Sequence, residues 1–203
     1  MLPEPPAATV LYASLDLPEE EASQFDAAMR ELPDWLRREP IGAPVSVAPM
    51  PTAWLDAVSD ILAQAPDIPE AVADLTGLVM EEGRRIPCMV LGCTPDHEFA
   101  RKARHQFPDG LWGVACDRFT LCYFCENPYS VWHETLHTLG AEDCYDLETK
   151  RTTCECAGCL MQYAAAEDTI GDWPWLCRAN QERIRSYAKK CAAANKKGEA
   201  PGG

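Results

Sequence analysis

A chain of 203 residues with 47% hydrophobic and 25% charged content is long enough for one generous domain with a real core. Its net charge of −14 argues against the basic face that a nucleic acid or an anionic membrane surface requires, so neither is expected as a partner. No apolar run is long enough to span a bilayer, and the odd count of eleven cysteines leaves at least one free, metal-bound or paired with another molecule.

In chain order, Thr9 to Leu15 (TVLYASL) reads as a first strand, with Asp16 as N-cap and Pro18 in the first turn of a following helix. The opening MLPEPPAATVLYASLD lacks the basic start of a secretory leader. A cytoplasmic protein is therefore expected, or a secreted one if a leader has been removed. Phe25, Met29 and Leu32 recur at helical spacing until Pro33, where the helix should break. VSVAP is a second strand. A helix from Thr52 carries Trp54, Val58, Ile61 and Leu62 on one face, and PEAVADLTGLVMEEG forms another despite Gly77 inside it.

IPCMVLGC is a buried-strand pattern between Pro87 and Thr94-Pro95. The polar segment after it, with His97 and His105, is given no role. GLWGVACDRFTLCYFCE reads as two strands joined around Asp117 to Phe119. Asn127-Pro128 starts the next helix, and a cysteine-rich loop follows Gly140. The last helix runs from about Asn180 to Ala194, with Ile184, Tyr187, Ala188 and Cys191 on one face; the polar tail NKKGEAPGG should be disordered. The expected organisation is one domain over residues 1–195, in subdomains of about 1–140 and 141–195, with residues 196–203 as a tail.

The helix after Asn127-Pro128 carries the chemistry. In VWHETLHTLGAEDCYD, His133 and His137 are four apart and therefore lie on one helical face. Two imidazole nitrogens can then aim at one point about 2.0–2.1 Å from each, as tetrahedral zinc requires. Glu134, beside the first ligand, can take a proton from water held there. Gly140 can adopt positive φ and turn the chain so that Asp143 returns as a third ligand, leaving a fourth position for water. The plain alternative is an amphipathic helix, since Trp132, Leu136 and Leu139 form a good apolar stripe. The glycine and aspartate at fixed offsets favour the metal reading.

HETLHTLGAED, followed by Met161 and Tyr163 in CLMQY, resembles the metzincin clan of zinc metallopeptidases, whose extended motif is HExxHxxGxxH or, in snapalysins, HExxHxxGxxD. The resemblance implies an α+β fold: a twisted mixed sheet packed on helices, an active-site helix, a Met-turn and a C-terminal helix. It makes Met161 the apolar Met-turn residue beneath the metal and Tyr163 a weak extra ligand or oxyanion donor. A narrower resemblance, to archaemetzincins, rests on Cys144 directly after the third ligand and Cys159 two residues before Met161. It covers about Ile86 to Asn180 and implies a second, structural zinc. That family closes its second site with a CxxC, but here Cys177 is followed by Asn180 where the partner would stand. Cys144, Cys156, Cys159 and Cys177 are then the expected set, with Cys154 as the substitute.

The expected activity is zinc-dependent endopeptidase chemistry on a peptide or protein substrate, in a monomer, with the strand around Thr120 to Cys125 pairing with an extended substrate. Disulfides across the same loop are the alternative for its cysteines. Buried free thiols are the plain reading for Cys122 and Cys125, with pairing to Cys88, Cys93 or Cys116 as the other; Cys191 reads as a small hydrophobe. The rival functions are a zinc-stabilised, cysteine-rich binding module, which would need the fourth position closed by a group such as Cys144, and a thiol redox protein using the CxxC.

Aspartate in place of a third imidazole removes one unit of positive charge from the centre and weakens its Lewis acidity. Hydrolysis should therefore be fastest at neutral pH or above. A bell-shaped profile peaking well below pH 6 would contradict this ligand set.

Overall fold

The computed structural model describes residues 8–41, 45–81, 88–108, 112–123, 125–146, 148–154, 158–162 and 175–198. Among them are five strands and six helices in an α+β arrangement: β1 (Ala8–Ser14), α1 (Glu19–Arg38), β2 (Val45–Pro49), α2 (Thr52–Gln64), α3 (Ile68–Glu81), β3 (Cys88–Gly92), α4 (Glu98–Gln106), β4 (Gly113–Cys116), β5 (Phe119–Cys122), α5 (Pro128–Thr138) and α6 (Arg178–Gly198). No helix among these residues is long and apolar enough to cross a membrane.

The sheet has the order β2-β1-β3-β5-β4. The first four strands run parallel, and β4 closes the row antiparallel to β5, paired from Gly113 opposite Cys122 to Cys116 opposite Phe119. The two strands expected from the sequence therefore form a hairpin, turning at Asp117, which has a φ of 50°. Side chains of the central strands alternate between two cores, as period-two geometry requires. Val10, Tyr12, Cys88 and Val90 face α1, α5 and α6, while Ala13, Met89 and Leu91 face α2, α3 and α4. The sheet is thus covered on both sides, which explains why β3 is buried along its whole length.

Several local expectations are corrected. Pro33 does not end α1: the helix passes through it to Arg38, because the next turn adds Trp35 and Leu36 to a stripe already holding Phe25, Met29 and Leu32. Burying two more large side chains outweighs one lost backbone hydrogen bond. Asp16 does not cap that helix; Pro18 holds the cap position without a side-chain bond. The Asp16 carboxylate instead accepts from the Thr94 N–H and Oγ, each at 2.9 Å, and so ties the ends of β1 and β3. The polar segment around His97 and His105 forms α4, with the His97 ring accepting from the Phe99 N–H at its N-cap. Residues 196–198, expected in the tail, continue α6.

The metal-motif helix is anchored from three sides. Asn127 caps it through the Tyr129 N–H at 2.9 Å, with Pro128 in the first turn, as the sequence indicates. The Trp132 indole donates to the Ala28 carbonyl at 2.8 Å and stacks on Trp35 with centroids 5.3 Å apart, locking α5 to α1. The Thr120 hydroxyl donates to the Glu134 carbonyl at 3.0 Å, locking α5 to β5.

If α1 is one continuous helix, Pro33→Ala restores a backbone bond to Met29 and should stabilise the fold by about 2 kcal/mol, the cost of an interior proline less the lost chain stiffness. Thermal denaturation should show a higher midpoint; an unchanged or lower one would mean that the helix does not run through.

Candidate metal centre and cleft

Helix α5 delivers His133 and His137 to one face, and its end delivers the third group. Gly140 has a φ of 88°. The Ala141 N–H bonds to the Leu136 carbonyl at 3.0 Å and the Gly140 N–H to the His137 carbonyl at 2.9 Å. This is a Schellman turn, which requires the left-handed conformation that glycine adopts without strain. It sends the chain back along α5, and three residues later Asp143 faces both imidazoles. The Asp143 Oδ1 lies 3.2 Å from His133 Nε2 and 3.4 Å from His137 Nε2.

Those two distances fit a cation. With bonds of about 2.0–2.1 Å, the edge of a tetrahedral ligand set is roughly 3.3–3.4 Å. The tautomers fit too. His133 Nδ1 is 2.9 Å from the Leu160 carbonyl and His137 Nδ1 is 3.0 Å from the Ala141 carbonyl. A carbonyl only accepts, so each Nδ1 carries the proton and each neutral ring presents an Nε2 lone pair to the common point. Asp143 Oδ1 is buried there with no properly aligned hydrogen-bond donor. Three acceptor atoms facing one another in a partly desolvated pocket need a positive charge between them.

The titration behaviour expresses the same demand. Burial works against the charged form of Asp143, but the two imidazoles more than offset it and hold its carboxyl well below the ordinary range. Burial likewise works against imidazolium at His137, and Asp143 overrides it, raising that ring's pKa. Glu134 is 7% exposed. Burial pushes its carboxyl above the usual value, against the pull of both histidines and with a smaller push from Asp143.

The centre opens into a cleft of about 760 Å³ whose walls include Phe107, Trp112, Val114, Ala115, Tyr145 and Tyr187. One wall is β4, the last strand of the sheet. The strand expected to meet a substrate, around Thr120 to Cys125, is corrected here: β5 is interior, hydrogen-bonded to β3 on one side and β4 on the other. Gly113 in β4 lies against Glu134, and a Cβ on it would stand 2.8 Å from the Glu134 side chain and 2.5 Å from the Leu121 carbonyl oxygen. The glycine inside a strand pattern was the sequence signal for such a close approach. Trp112 meets the His133 ring edge-on at 5.7 Å. Tyr187, on the apolar face of the last helix, reaches the cleft wall, and its hydroxyl is 3.3 Å from Cys88 Sγ.

A second group lies behind the first. Cys144, Cys154, Cys159 and Cys177 bring their sulfurs within 4.8 Å of one another. Cys144 Sγ is 3.8 Å from Cys159 Sγ and 3.5 Å from Cys177 Sγ. These separations are far from the roughly 2.05 Å of a disulfide and close to the roughly 3.8 Å edge of a tetrahedron with 2.3 Å bonds. Cys154, the substitute expected from the sequence, completes the group among the described residues; Cys156 lies outside them. Donors surround the sulfurs: the Gln162 amide to Cys154 at 3.2 Å, the Cys177 N–H to Cys159 at 3.3 Å and the Asn180 amide to Cys144 at 3.3 Å. The Cys144 thiol 3.8 Å away leads the effects that pull Cys159 down, against burial.

Met161 is fully buried in the core with Leu136 and Leu160, and its carbonyl accepts from the Cys144 N–H at 2.7 Å. Tyr163 lies outside the described residues. Cys122 and Cys125 are buried, free thiols. Burial raises both, Cys122 far above the ordinary range and Cys125 to about 12, as expected of inert core cysteines.

Gly113→Ala should displace Glu134 while leaving the three-ligand centre able to bind one cation. Metal titration should then give unchanged stoichiometry, with any hydrolytic rate down by about a hundredfold or more, the effect of a misplaced reacting group; an unaltered rate would separate Gly113 from the position of Glu134. No family model matches the chain and no curated protein matches it, so the chemistry of the centre rests on its own geometry.

Proposed function

We propose that the protein is a zinc-dependent metalloendopeptidase of metzincin-like, archaemetzincin-like type. The observation that carries this reading is the convergence of His133 Nε2, His137 Nε2 and Asp143 Oδ1 at tetrahedral spacing, beside a buried glutamate and inside an open cleft. His133, His137 and Asp143 would hold the zinc, which supplies Lewis-acid polarisation of a carbonyl and of water.

The remaining work falls to this chain's own groups. Glu134, its carboxyl raised by burial, accepts a proton from the attacking water as the water oxygen bonds to the scissile carbonyl carbon. It returns that proton to the amide nitrogen as the C–N bond breaks. The outer edge of β4, unpaired among the described residues, offers backbone groups to an extended peptide. Trp112 packs edge-on against the His133 ring at the cleft wall. Tyr163 is proposed as the oxyanion donor and Met161 as the Met-turn residue on the resemblance alone. The four thiols are proposed as a structural zinc site. A peptide or protein substrate, a monomeric state and a cytoplasmic setting belong to the same proposal.

The rival readings fare less well. A purely structural centre would need a protein group such as Cys144 in the fourth position, yet the Cys144 sulfur is engaged with Cys159 and Cys177. A redox role for Cys122 and Cys125 would need at least one readily ionised thiol, and burial opposes that in both.

Glu134→Gln keeps the size of the side chain and removes its basicity. The variant should bind zinc at the centre as the wild type does, while cleavage of an unfolded protein substrate falls by about 10²–10⁴-fold. Wild-type-like cleavage by this variant would remove Glu134 from the mechanism, and no cleavage by the zinc-loaded wild type would remove the peptidase reading.

A further inference from the structure

The two ligand groups share their backbone. Asp143 belongs to the first and Cys144 to the second, and they are consecutive residues. His133 is oriented by the Leu160 carbonyl, and Leu160 directly follows Cys159. Leu160 is itself tied, through its N–H, to the Trp175 carbonyl at 2.8 Å, two residues before Cys177. Each of two ligands of the His/Asp centre is thus one peptide unit, or one hydrogen bond and one peptide unit, from a sulfur of the thiol group.

Asn180 adds a third link. It is 1% exposed. Its Oδ1 accepts from the Glu142 N–H at 2.9 Å, and its Nδ2 donates to the Glu142 carbonyl at 2.8 Å and to Cys144 Sγ at 3.3 Å. One amide therefore grips the residue before Asp143 and the residue after it. Cys144 is held further by its N–H to the Met161 carbonyl and by its own carbonyl to the Thr153 N–H, both at 2.7 Å. Segment 142–144 has little freedom to place the carboxylate independently of the sulfur.

We propose that the thiol group and the His133/His137/Asp143 centre are thermodynamically coupled: a soft divalent cation on the four thiols raises the cation affinity of the second centre, with Asn180 as the positioning residue between them. This rests on reading both groups as cation sites, and it adds regulation to the proposed function. Without a cation, the four sulfurs themselves are held only by weak contacts, so the hydrogen-bonded segment that carries Cys144 and Asp143 can shift as one piece. A filled thiol group fixes Cys144 and Cys159, and so pre-organises the Asp143 carboxylate and the His133 ring. Coupling of this kind spans about 5- to 150-fold in affinity and is reciprocal.

The test uses the reduced, metal-stripped full chain. Manganese(II), which favours carboxylate and imidazole over thiolate, is titrated with and without one equivalent of cadmium(II) on the thiols, the cadmium being verified by its thiolate absorption. Manganese should bind about 5- to 150-fold more tightly to the cadmium-loaded chain. Equal affinities, failure of cadmium to occupy the thiols, or failure of manganese to bind the cadmium-loaded chain would each overturn the coupling. Asn180→Asp and Asn180→Ala are compared next. A merely structural residue would lower stability and leave the ratio of the two manganese affinities unchanged; a positioning residue shrinks that ratio. If either variant does not fold, the wild-type comparison alone decides. The readout is binding rather than cleavage, so a coupled chain that hydrolyses nothing would sink the peptidase reading and keep the coupling, and an uncoupled chain that hydrolyses peptides would do the reverse.

Discussion

The structure depends on holding three electron-rich atoms at one point. Two imidazole lone pairs and a carboxylate oxygen, 3.2 and 3.4 Å apart, would separate if each side chain were free to rotate. The rings cannot rotate, because their other nitrogens are committed to backbone carbonyls. The carboxylate cannot leave readily, because the residues on either side of it are pinned. Much of the remaining architecture serves as the clamp. Trp132 binds α5 to α1, Thr120 binds it to the sheet, and the Schellman turn at Gly140 fixes where the chain goes next.

What was legible in the sequence is what depends on spacing along a single element. The i, i+4 histidines, the Asn-Pro helix start, the glycine turn and the aspartate at a fixed offset all follow from local geometry, and all appear where local geometry puts them. So do the strands, because alternation and β-branched content are local signals. What was not legible depends on partners distant in the chain. Pro33 reads as a helix breaker by itself and is overridden by the burial of Trp35 and Leu36. Helix α4 turns only Phe99, Ala100 and Ala103 inward, too small an apolar stripe to stand out among its charges. The order of strands in the sheet is not encoded in any one of them, so the substrate-pairing strand is read as β5, which lies between β3 and β4.

The groups that orient the two imidazoles were invisible for a different reason. The groups that orient His133 and His137 are carbonyls of Leu160 and Ala141, and every residue has a carbonyl. Asn180 was visible only as a missing cysteine, whereas its amide fills a role that a thiol would not: it accepts from one backbone group and donates to another. The fourth sulfur near Cys144, Cys159 and Cys177 is that of Cys154, on a loop, while Asn180 reaches Cys144 from the first turn of α6.

The antiparallel strand at the rim has a consequence for the protein's behaviour in concentrated solution. Among the described residues nothing pairs with the outer edge of β4, and an unpaired edge is a template for any extended chain, with long flat edges leading to aggregation. Here the edge is only four residues long, Gly113–Cys116, and forms one wall of a cleft. So short a rim offers few backbone groups to a second sheet, which limits edge-to-edge pairing.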